Sequence, residues 1–323
     1  MMFPTKLCAF AILASPFALT AQNLIPNPGF ETGTVQACSQ GELPAPWVQA
    51  SNTNPGADTW AIDCGTMGGL QIDQWGHFPP GFVPHGGQRF ASGWSAANEA
   101  FATQLNNSVT PGQVYRLSGW FAASLQHSGH SGYDVFLSSS PVRQTGNYLG
   151  SIGVSATTGV WTQDSLDFLA PPAASWLVFD PRTDDNNYLA VDDLDLSLAP
   201  TGVGRFVGWG QGLAGTHGRP VLHGSGSVAA NQNITVTMSG GLENALCVQV
   251  VGFVPGYMSL LGGVLVPNPD VVVFTPTSPA GQASLSLQWP AVPPFYGVFF
   301  QYGVFDPLAV QGVSMSNTLQ AVQ

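Results

Sequence analysis

The sequence predicts an all-β chain made of two successive domains, an N-terminal β-sandwich and a second, smaller β-sandwich or barrel. Three observations lead there. Alternation of period two dominates while no helical periodicity runs far, Gly and Pro clusters punctuate the chain as turns, and charge divides it into two unlike parts. Residues 22–200 hold four Arg against 15 acids, net −11, whereas residues 201–323 hold two Arg against three acids, net −1. The boundary falls near Pro200-Thr201-Gly202, and an apolar content of 44% is enough for packed cores.

The first 21 residues read as an export signal. A charged start ends at Lys6, an apolar run follows from Leu7 to Leu19, and the small residues Thr20 and Ala21 precede Gln22. The run is interrupted by Pro16 and is too short to span a bilayer, and no later stretch could span one, so a secreted or surface-associated protein without a transmembrane segment is expected. Cleavage removes Lys6, the only lysine, and Cys8. The strongly acidic remainder makes nucleic acid an unsuitable partner. Of the remaining cysteines, Cys38 and Cys64 lie in adjacent loop-like segments and are expected to form a disulfide in an oxidising compartment, whereas Cys247 in ALCVQVV reads as a small buried hydrophobe.

Half-buried strands are predicted at VYRLSGWFA (114–122), YDVFLS (133–138), WTQDSLDFLA (161–170), SWLVFD (175–180) and YLAVDDLDLSL (188–198). In the first of these Tyr115, Leu117, Gly119 and Phe121 share one face, and Arg116, Ser118 and Trp120 the other. Thr110-Pro111-Gly112 and Asp184-Asp185-Asn186-Asn187 supply turns, and the Gly/Pro-rich stretch 34–87 reads as loops over one end. Beyond the boundary, strands are predicted at ITVTMSG (234–240), ALCVQVVGF (245–253), VVVFT (271–275), ASLSLQW (283–289) and GVFFQYGVF (297–305). No equal-period repeat links the two regions.

NLIPNPGFETG (23–33) and YLAVDDLDLSL (188–198), with GQRFASGW (87–94) between them, resemble segments of galactose-binding-like jelly rolls, whose best-known members are carbohydrate-binding modules of secreted glycosidases. The resemblance covers residues 23–199 and implies a fold more than a ligand, since relatives bind glycans, cell walls or proteins. It also implies a structural Ca²⁺ between first and last strands, with Glu31 and Asp192 as the matching side chains and Asp193 as a further donor. Alternation places Asp192 on the face of Leu194, Leu196 and Leu198, so that a carboxylate aimed at an apolar layer needs a partner, and a hard cation supplies one. The alternative is an exposed Glu31 and an Asp192 at the wet end of its strand.

Aromatic side chains that alternation leaves outside the core are the candidates for stacking on a sugar ring. These are Trp120 with Arg116 beside it, Trp94, Trp75 and Tyr133, each weighed against ordinary burial. Catalytic signatures are weak. His127 and His130 sit in a Gly/Ser turn, GQGLAG (210–215) lacks the strand–helix context of a dinucleotide site, and neither a GxSxG elbow nor an HExxH pair occurs. A glycosidase pair among Asp180, Asp184, Asp185 and Asp195 is a minor alternative. Residues 205–323, with GWGQGLAGTHGRPVLHGSG at the front and FFQYGVFDPLAVQGVSMSNTLQAV at the back, resemble a Gly/Pro/Leu-rich domain found near the C-termini of predicted secreted bacterial proteins, with no chemistry implied. The expected function is non-catalytic binding of a glycan or another cell-envelope component, the alternative being a structural or adhesive envelope protein without a sugar ligand.

Overall fold

The computed structural model describes residues 22–33, 41–51, 56–62, 77–125, 132–154, 156–172, 174–182, 187–200, 204–291 and 297–323, and the chain is all-β. The segment before Gln22, Cys38, Cys64, Trp75, His127, His130, Asp184 and Asp185 lie outside these residues.

The first sandwich places a five-stranded sheet against part of a longer one. The five-stranded sheet runs β1 (Val48–Gln49), β4 (Phe101–Gln104), β9 (Trp176–Pro181), β6 (Tyr133–Ser138), β7 (Asn147–Ile152). Facing it are β2 (Asp58–Ala61), β3 (Arg89–Trp94), β10 (Tyr188–Leu198), β5 (Val114–Ala123) and β8 (Thr162–Leu169). Alternation is visible in β5, where Tyr115, Leu117 and Phe121 are buried while Arg116, Ser118 and Trp120 are half-buried. Phe30, Trp47, Phe101, Phe121, Phe168 and Phe179 are among the residues that fill the layer between the sheets. A second apolar cluster, including Trp60, Phe78, Phe82, Phe90 and Tyr188, lies on the outer face of the long sheet.

The long sheet does not stop at β8. It continues through β11 (Arg205–Gly210) into β21 (Thr318–Val322), β19 (Gly297–Phe305), β14 (Leu246–Gly252) and β17 (Val271–Pro276), with β20 (Val313–Met315) paired to β19. The second sandwich is closed by a three-stranded sheet of β12 (Val221–Gly226), β13 (Asn233–Ser239) and β18 (Ala283–Gln288), and a hairpin of β15 (Pro255–Leu260) and β16 (Gly263–Pro267) stands beside it. Trp289, Phe300 and Tyr302 are the bulkiest residues of its core.

The seam between the regions is a parallel contact of one paired position, Gly208 with Phe168. A side chain at Gly208 would meet the carbonyl oxygen of Leu149 at 2.9 Å, and one at Gly210 would strike that of Tyr148, so only glycine lets β11 lie this close to β7. A polar cluster fastens the same boundary. Asp134 on β6 receives hydrogen bonds from Arg219 Nη1 at 2.9 Å and from Ser151 Oγ at 2.6 Å, and Arg182 Nη1 donates to the Arg219 carbonyl at 2.8 Å.

Candidate functional site

Three carboxylates meet at one end of the first sandwich. β10 carries a bulge between Asp192, which pairs with Trp120, and Asp195, which pairs with Ser118. Asp193 occupies the extra position with φ of 45°. The inserted residue corrects the expected facing. Asp192 shares the outer face with its partner Trp120, whereas Leu194 and Leu196 return to the inner core and Leu198 is exposed. Asp192 is nonetheless fully buried, because the loops around Gly29 and Gly86 cover it. Its Oδ2 accepts the Gly86 N–H at 3.0 Å and its Oδ1 the Asp193 N–H at 2.8 Å. Glu31 is exposed, and its Oε1 accepts the N–H groups of Gln88 and Arg89, both at 2.8 Å.

Burial, reinforced by the charges of Asp193 and Glu31, pushes the Asp192 carboxyl up to about 7. A side chain at Gly86 would meet Asp193 Oδ2 at 2.5 Å, and one at Gly87 would strike Glu31 Oε1. The two glycines therefore form a cradle around the acids. The donors are all oxygen, the set a hard cation such as Ca²⁺ prefers. Among the described residues no three His, Cys, Asp or Glu side chains form a metal-holding group on their own, so main-chain carbonyls would have to complete any shell.

The aromatic candidates separate. Trp120 is half-buried, and the His85 ring stacks on it at 3.9 Å between centroids while His85 Nδ1 lies 2.7 Å from Asp193 Oδ2. One face of the predicted platform is thus covered by the chain itself. Arg116 is held by Asp167 through two hydrogen bonds, 2.6 and 2.9 Å. Trp94 stacks on Tyr188 with centroids 5.7 Å apart. Tyr133 is not a ligand-facing residue. It is wholly buried, its hydroxyl donating to the Leu189 carbonyl at 2.5 Å and accepting from the Gly93 N–H at 2.9 Å. Every residue of β6 is buried, so alternation could not tell its faces apart.

Among the acids weighed as catalytic, Asp180 is paired with Arg143, and Asp195 accepts a hydrogen bond from Ser197 Oγ at 2.8 Å. Two other acids are buried with no cationic partner among the described residues. Asp58 is pushed up to about 6 by burial. Glu99 is pushed up to about 8 by burial with the charge of Asp58 adding to it. Glu99 Oε2 accepts the Trp94 N–H at 2.8 Å, whereas Oε1 has no partner among the described residues. Cys247 is buried, which pushes its thiol up to about 12.

Two clefts open where the sandwiches meet. One, of about 450 Å³, holds Arg116, Asp167, Asp164 and His223, but its charges are largely satisfied internally. Arg116 pairs with Asp167, and Asp164 accepts the N–H groups of Gly153 and Ser165. The other is a groove of about 560 Å³ with Tyr148, Trp209 and Tyr257 in its walls and the side chains of Gln144, Asn147 and Gln211 between them. Tyr148 and Trp209 are half-buried, and Tyr257 is 54% exposed. The guanidinium of Arg219, 5.1 Å from the Tyr148 ring centre, forms part of the floor. Trp209 is fixed by an edge contact with Phe299 and by donating Nε1–H to Gln320 Oε1 at 3.0 Å. Sequence reasoning missed this groove because it draws residues from both regions. The one available signal was an aromatic between glycines, Gly208-Trp209-Gly210.

No family model matches the chain, and no curated protein does. Among solved structures, a TmCBM61 module in complex with β-1,4-galactotriose is similar over 55% of this chain and all of its own length, at 16% identity and a TM-score of 0.33. The CBM22-1–CBM22-2 tandem from Paenibacillus barcinonensis Xyn10C is similar over 94% of this chain and 90% of its own, at 12% identity and a TM-score of 0.36. The K2 cleaved adhesin domain of Lys-gingipain is similar over 53% and 97%, at 17% identity and a TM-score of 0.34.

Proposed function

We propose that this chain is a secreted or surface-associated, non-catalytic carbohydrate-binding protein whose sugar site is the groove between its two sandwiches. The observation that carries this reading is the combination of Tyr148, Trp209 and Tyr257 with amide side chains and a guanidinium in one open groove. Sugar rings present apolar C–H faces to aromatic rings, and their hydroxyls take amide and guanidinium partners. Trp120 is set aside as the platform because His85 covers it.

A glycan array probed with the full chain tests the proposal, followed by titration of the best ligand against two variants. Tyr257→Ala, at an exposed position, and Trp209→Ala are each expected to weaken binding by about tenfold or more, with Trp120→Ala close to the unaltered chain. Absence of any bound glycan, binding indifferent to both groove variants, or hydrolysis of the ligand would each refute it.

The same proposal includes a structural Ca²⁺ held by Asp192 and Glu31 with Asp193 and main-chain carbonyls. Support comes from the full burial of Asp192 beside two further acids. In Ca²⁺ at millimolar concentration the thermal midpoint of the full chain is expected to rise by about 5 °C over that in EDTA, and Asp192→Asn to abolish the difference. Equal midpoints in the two buffers would remove the metal from the proposal.

A further inference from the structure

The long sheet has two ends, and they are finished differently. At one end β2 is buried at all four of its residues. At the other, β17 has β14 on one side and no strand on its other side among the described residues. Val271, Val272, Val273 and Phe274 are between 36% and 66% exposed. Consecutive strand residues point to opposite faces, so this edge is open on both faces as well as along its backbone. The usual protections are confined to the two ends of the strand, Asp270 just before it and Pro276 at its last position. The six pairs with β14 run without a bulge, Pro occurs only at the last position, and no charged residue occurs from Val271 to Phe305.

We propose that β17 is a self-association edge, at which a second copy of this chain adds its own β17 antiparallel to the first and joins the two long sheets. An antiparallel pair of identical strands needs only a two-fold axis, and a register centred on Val273 sets Phe274 of each copy against Val272 of the other. Charge selects this edge over others. Residues 201–323 carry a net −1 and residues 22–200 a net −11, so joining through β17 keeps the two acidic regions at opposite ends of the dimer. Because β2 is covered, the sheet cannot grow further, and association closes at two copies rather than running on as a filament.

Sedimentation equilibrium on the full chain at about 100 μM is expected to give twice the monomer mass. Val272→Lys with Phe274→Lys is expected to weaken the dimer by at least about tenfold, since each lysine would be brought into an apolar contact. Val271→Glu provides a second variant, and far-UV circular dichroism checks that each remains folded. Hydrogen exchange on the unaltered chain needs no variant, and there the β17 amides should gain protection as concentration rises. A monomer at 100 μM, a dimer that both folded variants leave intact, or open-ended polymers would each overturn the proposal.

Discussion

Residues 22–200 and residues 204–323 each close a β-sandwich, and they differ in how they treat polar groups. The first region buries Asp58, Glu99, Asp134, Asp167, Asp180 and Asp192. Arginines answer three of these acids, Arg219 on Asp134, Arg116 on Asp167 and Arg143 on Asp180. Burial pushes up the carboxyls of the other three, and that of Asp180 in spite of its arginine. The second region buries one acid, Asp306. Burial works against its ionised form, but hydrogen bonds from Thr216 and Leu308 outweigh it and hold the carboxyl below the usual range. Elsewhere it relies on amides such as Gln301, whose side chain bonds Val264, Val266 and Ser316. Stability in the first region therefore depends on the protonation of more buried acids than in the second.

The sharpest way to break this contrast is at Asp134, an acid of the first region bound by Arg219 of the second. Asp134→Ala removes the carboxylate that Arg219 Nη1 binds at 2.9 Å and is expected to cost about 3 kcal/mol. Differential scanning calorimetry is expected to show one transition for the unaltered chain and two for the variant, and a single transition at an unchanged midpoint would show that the cluster does not couple the regions. A smaller effect is expected at Glu99. Its folded value of about 8 lies above the ordinary 4.5, so the stability it contributes is complete below about pH 4.5 and is lost as pH rises through 8. Glu99→Gln should raise the midpoint at pH 8.5 by on the order of 5 °C and leave that at pH 4.5 nearly unchanged, and a parallel shift at both pH values would contradict the assignment. The smallest effect belongs to the second region. Thr237→Ala removes a 3.0 Å hydroxyl pair with Ser284 on the exposed face of the three-stranded sheet and should cost about 0.5 kcal/mol by urea melts, equally at both pH values.

Most of the architecture was legible in alternation, because β5 and β13 each have one buried face. Alternation failed where its premise failed. β6 is buried on both faces, so Tyr133 could not be told from a surface aromatic. In β10 a left-handed Asp193 inserts a residue and turns Asp192 to the outer face, a step that hydrophobic pattern does not encode. Arg116 was placed on the correct face, but its partner Asp167 lies 51 residues away and becomes visible only when β8 pairs with β5. The groove was illegible for a similar reason. Tyr148 and Trp209 become neighbours because β11 approaches β7, and that depends on two glycines rather than on any motif in the aromatic residues.

The single paired position at the seam has a mechanical consequence. Eight pairs hold β5 to β8, whereas only one joins β8 to β11 in the same sheet. A sheet resists load in proportion to the backbone bonds crossing a line, so this line is its compliant element. Tension drawn across the sheet concentrates there. The Asp134–Arg219 contact lies beside that line and acts as its stiffener.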